Sequence, residues 1–218
     1  MSKKIAVILA GSGVYDGSEI HEAVITLLSL DRAGAEVQCF APDTPQLHVV
    51  NHLTGEVAEG ESRNVLVESA RITRGDVTDV VELNASNFDA LIVPGGFGVA
   101  KNLCDFALNG SDMTMNEDVL LAAKSFQSAG KPVGLMCIAP ALAARIFGEG
   151  VSCTIGTDAD TAAALSAMGA THVNAEVADI VVDEQNNLVT TPAYMLAGGI
   201  AEAAKGIEKL VDAVMQRA

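Results

Sequence analysis

The chain has 218 residues, of which 50% are hydrophobic, and a formal net charge of −15 at pH 7. This length suits one large α/β domain over residues 1–218, and the acidity argues against nucleic acid or an anionic membrane as a partner, because both would be repelled. No apolar run approaches the ~20 residues of a membrane span. The early run IAVILAG is too short for a signal peptide, so we expect a cytoplasmic protein with reduced thiols.

Strand and helix signals alternate along the chain. The first half predicts a strand at Lys4–Ala10, a helix at Ser18–Ala33, a strand at Ala35–Phe40, a helix at Arg63–Ile72, and strands at Asp79–Leu83 and Phe88–Val93. The second half predicts a helix at Asn116–Ser128, a strand at Lys131–Met136, a helix at Ala139–Phe147, a strand at Val151–Ile155, a helix at Asp160–Met168, a hairpin of Asp179–Val182 with Leu188–Thr191, and a helix at Tyr194–Gln216. We expect Ser18 to cap the first helix and Gly34 to end it. Such alternation predicts a mostly parallel sheet with helices on both faces.

Three loops follow strands of this predicted sheet, at residues 10–19, 94–98 and 136–140. Ligands of open parallel sheets bind at that carboxyl edge. The first loop has the spacing G-x-G-x-x-x-G, one residue longer than a dinucleotide fingerprint, which favours a tight turn over a bound cofactor. The four cysteines show no CxxC pair and no histidine at metal spacing. We therefore expect no cofactor and no metal.

Cys137 lies at the corner between a predicted strand and a predicted helix. There the helix N-terminus would favour the thiolate, and the N–H that follows would face a developing oxyanion, as in a nucleophile elbow. The glycines of PGGFG, residues 94–98, leave further backbone N–H groups uncovered. A buried core cysteine is the alternative interpretation, and position alone does not decide between them. Cys39, Cys104 and Cys153 are predicted to be core cysteines.

The first predicted helix has a polar stripe opposite an apolar one. The polar stripe comprises Glu19, Glu22, Thr26 and Ser29, and the apolar stripe comprises Ile20, Val24, Leu27 and Leu28. A polar stripe of this kind is usually a solvated face. Its first turn nevertheless lies at the same sheet edge as Cys137, where a carboxylate or His21 could act as the base that a nucleophilic thiol needs.

Four segments together resemble the ThiJ/PfpI superfamily of class I amidotransferase-like domains, and within it the glyoxalase ElbB branch. They are KPVGLMCIAPALAA, LIVPGGFG, GVYDGSEIHEA and VTTPAYM. The resemblance implies a flavodoxin-like three-layer α/β sandwich in which Cys137 is the elbow nucleophile. It aligns Glu22 with the partner glutamate, and it puts Gly96 and Ile138 where the backbone oxyanion donors lie.

Two departures from the superfamily pattern bear on the reaction. No histidine occurs in residues 154–158, and no His-x-Glu pair occurs anywhere in the chain, which disfavours a glutamine-hydrolysing triad. A Cys137–Glu22 dyad remains, and the ElbB branch implies glutathione-independent glyoxalase activity on small dicarbonyls. Two alternative functions stay open: a cysteine redox sensor, and a protein deglycase with an indirect link to isoprenoid biosynthesis. Glu19 or His21 could take the place of Glu22, and the protein could be a homodimer.

Overall fold

The structure is a computed structural model that describes residues 2–218. Its strands are β1 (Lys4–Ile8), β2 (Glu36–Ala41), β3 (Val50–Asn51), β4 (Glu56–Val57), β5 (Val77–Asp79), β6 (Ala90–Val93), β7 (Val133–Met136), β8 (Ser152–Cys153), β9 (Thr171–His172), β10 (Val181–Asp183) and β11 (Leu188–Thr191). Its α-helices are α1 (Ile20–Arg32), α2 (Val65–Thr73), α3 (Phe106–Asn109), α4 (Glu117–Ser128), α5 (Ala143–Phe147), α6 (Ala159–Ala167) and α7 (Ile200–Arg217).

Seven of these strands form one sheet in the order β10-β11-β7-β6-β1-β2-β5. Every neighbouring pair in it is parallel except the hairpin β10–β11, in which Val182 pairs with Val189. The mostly parallel sheet and the hairpin predicted from the sequence are thus confirmed. The carboxyl ends of the parallel strands consequently open onto one edge.

Helices cover both faces of this sheet, as the central strand β1 illustrates. Ile5 and Val7 lie in one buried cluster with residues of α1 and α7, whereas Ala6 and Ile8 lie in the other with residues of α4 and α5. Alternate side chains of a strand point to opposite faces, so a strand that is buried on both faces is apolar throughout. The chain therefore has the α/β three-layer sandwich that the sequence predicted.

Four predicted elements differ in the structure. Most of the strand predicted at Asp79–Leu83 is instead a 3₁₀ turn, because β5 ends at Asp79, whose side chain accepts a hydrogen bond from Val81 N (3.2 Å). The strand predicted at Val151–Ile155 is the short β8, which pairs with β9 outside the main sheet. The final helix begins at Ile200 rather than Tyr194, because the Gly198–Gly199 pair separates α7 from a 3₁₀ turn at Ala193–Met195.

The helix predicted at Ala139–Phe147 is divided in two. A 3₁₀ turn at Ala139–Leu142, with Pro140 in its first turn, continues into α5.

Within residues 2–218, none of the helices combines the length and the apolar character that crossing a membrane requires.

Candidate active site

Of the three loops predicted to share the carboxyl edge, residues 10–19 and 94–98 are hydrogen-bonded to each other, and Gly95 lies against Cys137 of the third. Glu19 N donates to Gly95 O (2.9 Å), Phe97 N donates to Val14 O (2.8 Å) and Gly98 N donates to Gly17 O (2.8 Å). A fourth segment, the 3₁₀ turn after β11, joins them through Tyr194. This turn was absent from the sequence prediction, because VTTPAYM carries no signal separating a short turn from the start of a helix.

Cys137 forms a strained corner directly after β7. Its φ of +60° is a left-handed conformation that costs a non-glycine residue about 1–3 kcal/mol. Its N–H donates to Thr191 O (3.0 Å), which ties the corner to β11. The backbone N–H groups of Gly96 and Ile138, the two residues predicted to be oxyanion donors, lie beside the sulfur and favour its negative charge. This geometry is that of a nucleophile elbow.

The glycines of residues 94–98 allow the loops to approach closely. A Cβ atom at Gly95 would lie 2.4 Å from Cys137 Cβ and 2.7 Å from Glu22 Oε2. A Cβ atom at Gly96, where φ is +100°, would lie 2.3 Å from Glu19 N. Real Cβ atoms do not come this close to other heavy atoms, so only glycine brings the backbone N–H groups against the thiol and the carboxyl group.

Glu22 is fully buried beside Cys137. Its Oε2 accepts a hydrogen bond from Gly95 N (2.8 Å), its Oε1 accepts one from Tyr194 N (3.1 Å), and the Cys137 thiol is a further partner. Burial raises the pKa of this carboxyl from 4.5 to about 7, and the nearby charge of Glu19 adds to the rise, whereas the hydrogen bonds oppose it. Such a pKa suits a group that gives and takes protons near neutral pH.

The thiol of Cys137 is correspondingly harder to ionise than the sequence suggested. Burial raises its pKa well above the ordinary value, and the charge of Glu22 raises it further, although the N–H groups of Gly96 and Ile138 oppose the rise. The expectation of a thiolate stabilised by the helix N-terminus is therefore wrong, because burial outweighs it. Once the first of the two groups ionises, its charge hinders the second, so above the pKa of Glu22 the pair keeps one proton, which is on the thiol.

The remaining thiols agree with the sequence interpretation. Cys39, Cys104 and Cys153 are free and buried, and burial raises the pKa of each to about 12.

The polar stripe of α1 faces the protein interior, which corrects the expectation of a solvated face. Glu22 and Thr26 are completely buried, whereas Ile20, Val24 and Leu28 are each more than 40% exposed. Interior partners satisfy the polar groups: the Thr26 hydroxyl, for example, contacts Met136 Sδ at 3.7 Å. Periodicity alone indicated two faces and chose the wrong one.

Glu19 and His21, the two alternatives to Glu22, have other contacts. Glu19 Oε2 accepts a hydrogen bond from Glu22 N (2.7 Å), so Glu19 caps α1 in place of the predicted Ser18. The Ser18 hydroxyl oxygen instead accepts a hydrogen bond from Ala10 N (2.8 Å). His21 Nδ1 lies 2.8 Å from the Tyr194 hydroxyl. Glu22 is thus the carboxyl that the structure brings against the thiol.

A cavity of about 520 Å³ opens above Cys137. Its lining is mainly apolar and comprises Val14, Glu19, Gly96, Phe97, Ala100, Phe106, Ala107, Cys137, Ile138, Thr161, Tyr194 and Met195. Within residues 2–218, no cluster of three or more His, Cys, Asp or Glu side chains is arranged to hold a metal ion.

Comparison with known proteins points the same way as this geometry. The chain is 50% identical to the human glutamine amidotransferase-like class 1 domain-containing protein 3, mitochondrial, over 98% of this chain and 82% of that protein. It is 38% identical to the ES1 protein, mitochondrial, of Danio rerio, over 88% of this chain and 76% of that protein. Both relatives are mitochondrial by name, so a cytoplasmic location stays a prediction.

The fold of a solved relative agrees as well. The crystal structure of an isoprenoid biosynthesis protein with amidotransferase-like domain from Ehrlichia chaffeensis superposes with a TM-score of 0.92 and 37% identity over 99% of each chain. A sequence model of the DJ-1/PfpI family matches residues 3–198, which include β1, Glu22 on α1, the elbow at Cys137 and the 3₁₀ turn of Tyr194. Because this match spans most of the chain, the protein belongs to the DJ-1/PfpI family.

Proposed function

We propose that the protein is a glutathione-independent glyoxalase, which converts a small dicarbonyl such as glyoxal to the corresponding hydroxy acid. One observation carries the proposal: a fully buried carboxyl with a pKa of about 7, that of Glu22, lies beside the elbow thiol of Cys137 under an open cavity. A thiol adds to an aldehyde only as its proton leaves, and the isomerisation that follows needs a base that later acts as an acid. The pair supplies both.

The first step is addition of the thiol to one aldehyde. Glu22, as the carboxylate, takes the thiol proton while Sγ bonds to the carbonyl carbon, and the π electrons of that carbonyl move to its oxygen. The N–H groups of Gly96 and Ile138 contact the sulfur before the reaction, and they favour negative charge at this corner. Proton transfer from Glu22 to the oxygen then gives a neutral hemithioacetal.

The second step moves a proton between the two carbons. The Glu22 carboxylate removes the C–H proton of the hemithioacetal, and the electrons of that bond move towards the neighbouring carbonyl oxygen, which gives an enediolate. The hydroxyl proton of the first carbon passes to that oxygen, and Glu22 returns its own proton to the neighbouring carbon. The first carbon is thereby oxidised to a thioester, and the second is reduced to a hydroxymethyl carbon. Water cleaves the thioester, releases glycolate and restores the Cys137 thiol, so the net reaction consumes one glyoxal and one water.

Glyoxal and methylglyoxal turnover by variants tests the proposal. We expect Cys137→Ser to abolish turnover, and Glu22→Gln to lower it by the ~10²–10⁴-fold typical of a lost general base. Glu19→Gln is the matched control, because the Gln carbonyl can still cap α1 while the charge that raises the pKa of Glu22 is lost. Its turnover should persist, with the acid limb of the pH profile moved to lower pH.

Two outcomes would contradict the assignment. If Glu19→Gln abolished turnover and Glu22→Gln kept it, the base would be Glu19. If wild-type protein turned over neither dicarbonyl but peroxide oxidised Cys137 to a stable sulfinate, a redox sensor would replace the glyoxalase.

A further inference from the structure

The cavity above Cys137 is much larger than glyoxal requires. A molecule of four heavy atoms fills roughly two to three water volumes, or ~60–90 Å³. The cavity measures about 520 Å³, which lies within the range of pockets that enclose drug-sized ligands. A two-carbon substrate would therefore leave most of the apolar lining in contact with water.

The lining also selects by polarity. Phe97, Phe106, Ile138 and Met195 provide aromatic and aliphatic surface beside the thiol, and apolar surface of this kind binds apolar groups as water is released. Among the lining residues that the structure describes, none is Lys, Arg or His, and Glu19 contributes a carboxylate. An anionic substrate would meet this carboxylate, and Lys101 lies outside the lining, where its ammonium donates to Tyr15 O and stands 5.5 Å from the Phe97 ring centroid.

We infer that the site takes a neutral dicarbonyl whose second carbonyl carbon carries an aromatic or branched aliphatic group, in preference to glyoxal and to anionic carbonyl compounds. The reactive end lies at Cys137, and the apolar group packs between Phe97, Phe106 and Met195. The chemistry of the step rests on the proposed function, whereas the preference for an apolar group rests on the cavity alone.

Phenylglyoxal illustrates the balanced reaction. Sγ of Cys137 bonds to the aldehyde carbon, and Glu22 moves the former aldehyde proton to the carbon that carries the ring. The aldehyde carbon is oxidised to the thioester while the ketone carbon is reduced to the alcohol, so no external oxidant or reductant is needed. Water then releases mandelate and restores the thiol.

Alkylation of Cys137 tests the cavity without requiring turnover. Iodoacetamide, N-phenyliodoacetamide and iodoacetate react alike, since the S–C bond forms and iodide leaves, but they differ in size and charge. Each alkylation rate of Cys137 is divided by the rate of the same reagent with a free thiol. This normalised rate should be about tenfold higher for the phenyl reagent than for iodoacetamide, because a single added methylene already changes binding in an apolar pocket by about 10–200-fold. Iodoacetate should be the slowest. Cys39, Cys104 and Cys153, mapped in the same digest, should label more slowly with each reagent.

A variant that narrows the cavity sharpens this test. Ala107 is an exposed residue of α3 whose side chain lines the cavity, so Ala107→Phe fills space there without disturbing the core. Ala107→Phe should remove most of the preference for the phenyl reagent. Its rate with iodoacetamide should stay within about twofold of the wild-type rate, which is small beside the ~10-fold preference expected in wild type. Leu108→Phe is the matched control, because Leu108 is 61% exposed and is not part of the lining.

The outcomes separate the inference from the proposed function. Equal normalised rates for the two neutral reagents, or no labelling of Cys137 by any reagent, would overturn the inference. A phenyl preference together with a kcat/KM for phenylglyoxal at least about tenfold above that for glyoxal supports both. A phenyl preference without turnover of either dicarbonyl supports the apolar cavity and contradicts the glyoxalase.

Discussion

The buried carboxyl of Glu22 should make the stability of the protein depend on pH. Its pKa is about 7 in the folded protein, against an ordinary value of 4.5. Between these two values the folded state keeps the proton and the unfolded state loses it, so the free energy of unfolding falls as pH rises. The contribution of the protonated carboxyl is complete below about pH 4.5 and is lost by the time pH has passed 7.

The size of the effect follows from the same two values. Between pH 5 and pH 8 the linkage relation gives a loss of roughly 2.5 kcal/mol for this one group. Glu22→Gln removes that loss, because an amide does not titrate. The variant has a constant cost of its own, since its NH₂ group faces either Gly95 N–H or Tyr194 N–H, and an unsatisfied buried donor costs about 1–3 kcal/mol.

Urea unfolding at pH 5 and pH 8 measures the prediction. All other groups are shared, so the decline between the two pH values should be roughly 2.5 kcal/mol larger in wild type than in Glu22→Gln. Glu19→Gln should keep a smaller part of the decline, because the charge of Glu19 contributes to the raised pKa of Glu22. An identical decline in wild type and Glu22→Gln would show that Glu22 ionises normally and would refute its raised pKa.

Three further measurements probe other parts of the structure. Gly95→Ala should lower the free energy of unfolding by about 2–5 kcal/mol and slow alkylation of Cys137, because the added methyl group overpacks the site and displaces a hydrogen bond. Gly199→Ala is the control: the added methyl group meets open space and φ is −176°, so its free energy of unfolding should stay within about 1 kcal/mol of wild type in the same urea titration. Asn64→Ala should lower the free energy of unfolding by about 0.5–2 kcal/mol, because Asn64 Oδ1 caps α2 by accepting a hydrogen bond from Val67 N (3.0 Å). Asn64→Ser should keep most of that stability. The imidazole of His172 should titrate below 6.5 by NMR, because burial lowers its pKa, and an inflection at or above 6.5 would contradict its burial.

Local signals in the sequence were sufficient for the layout of the fold and for the position of the thiol. The apolar runs of β1, β6 and β7 follow from burial on both faces, which leaves an unmistakable pattern over a few residues. The glycines at 95 and 96 are likewise local, since the tight turn after β6 needs glycine there, and the end of the apolar run of β7 placed Cys137 at a corner. Glu22 was identified through family resemblance, not through its own surroundings.

Only the tertiary structure decided how the site works. The stripe of α1 that carries Glu22 reads as a solvated face, because helical periodicity does not tell which of two faces is inside. It faces inward because Gly95, 73 residues away, and Tyr194, 172 residues away, supply the N–H groups that make burial of its carboxyl tolerable. The raised pKa values of Glu22 and Cys137 and the apolar cavity above them depend on the same distant contacts, and contacts between residues so far apart leave no periodic trace in the sequence.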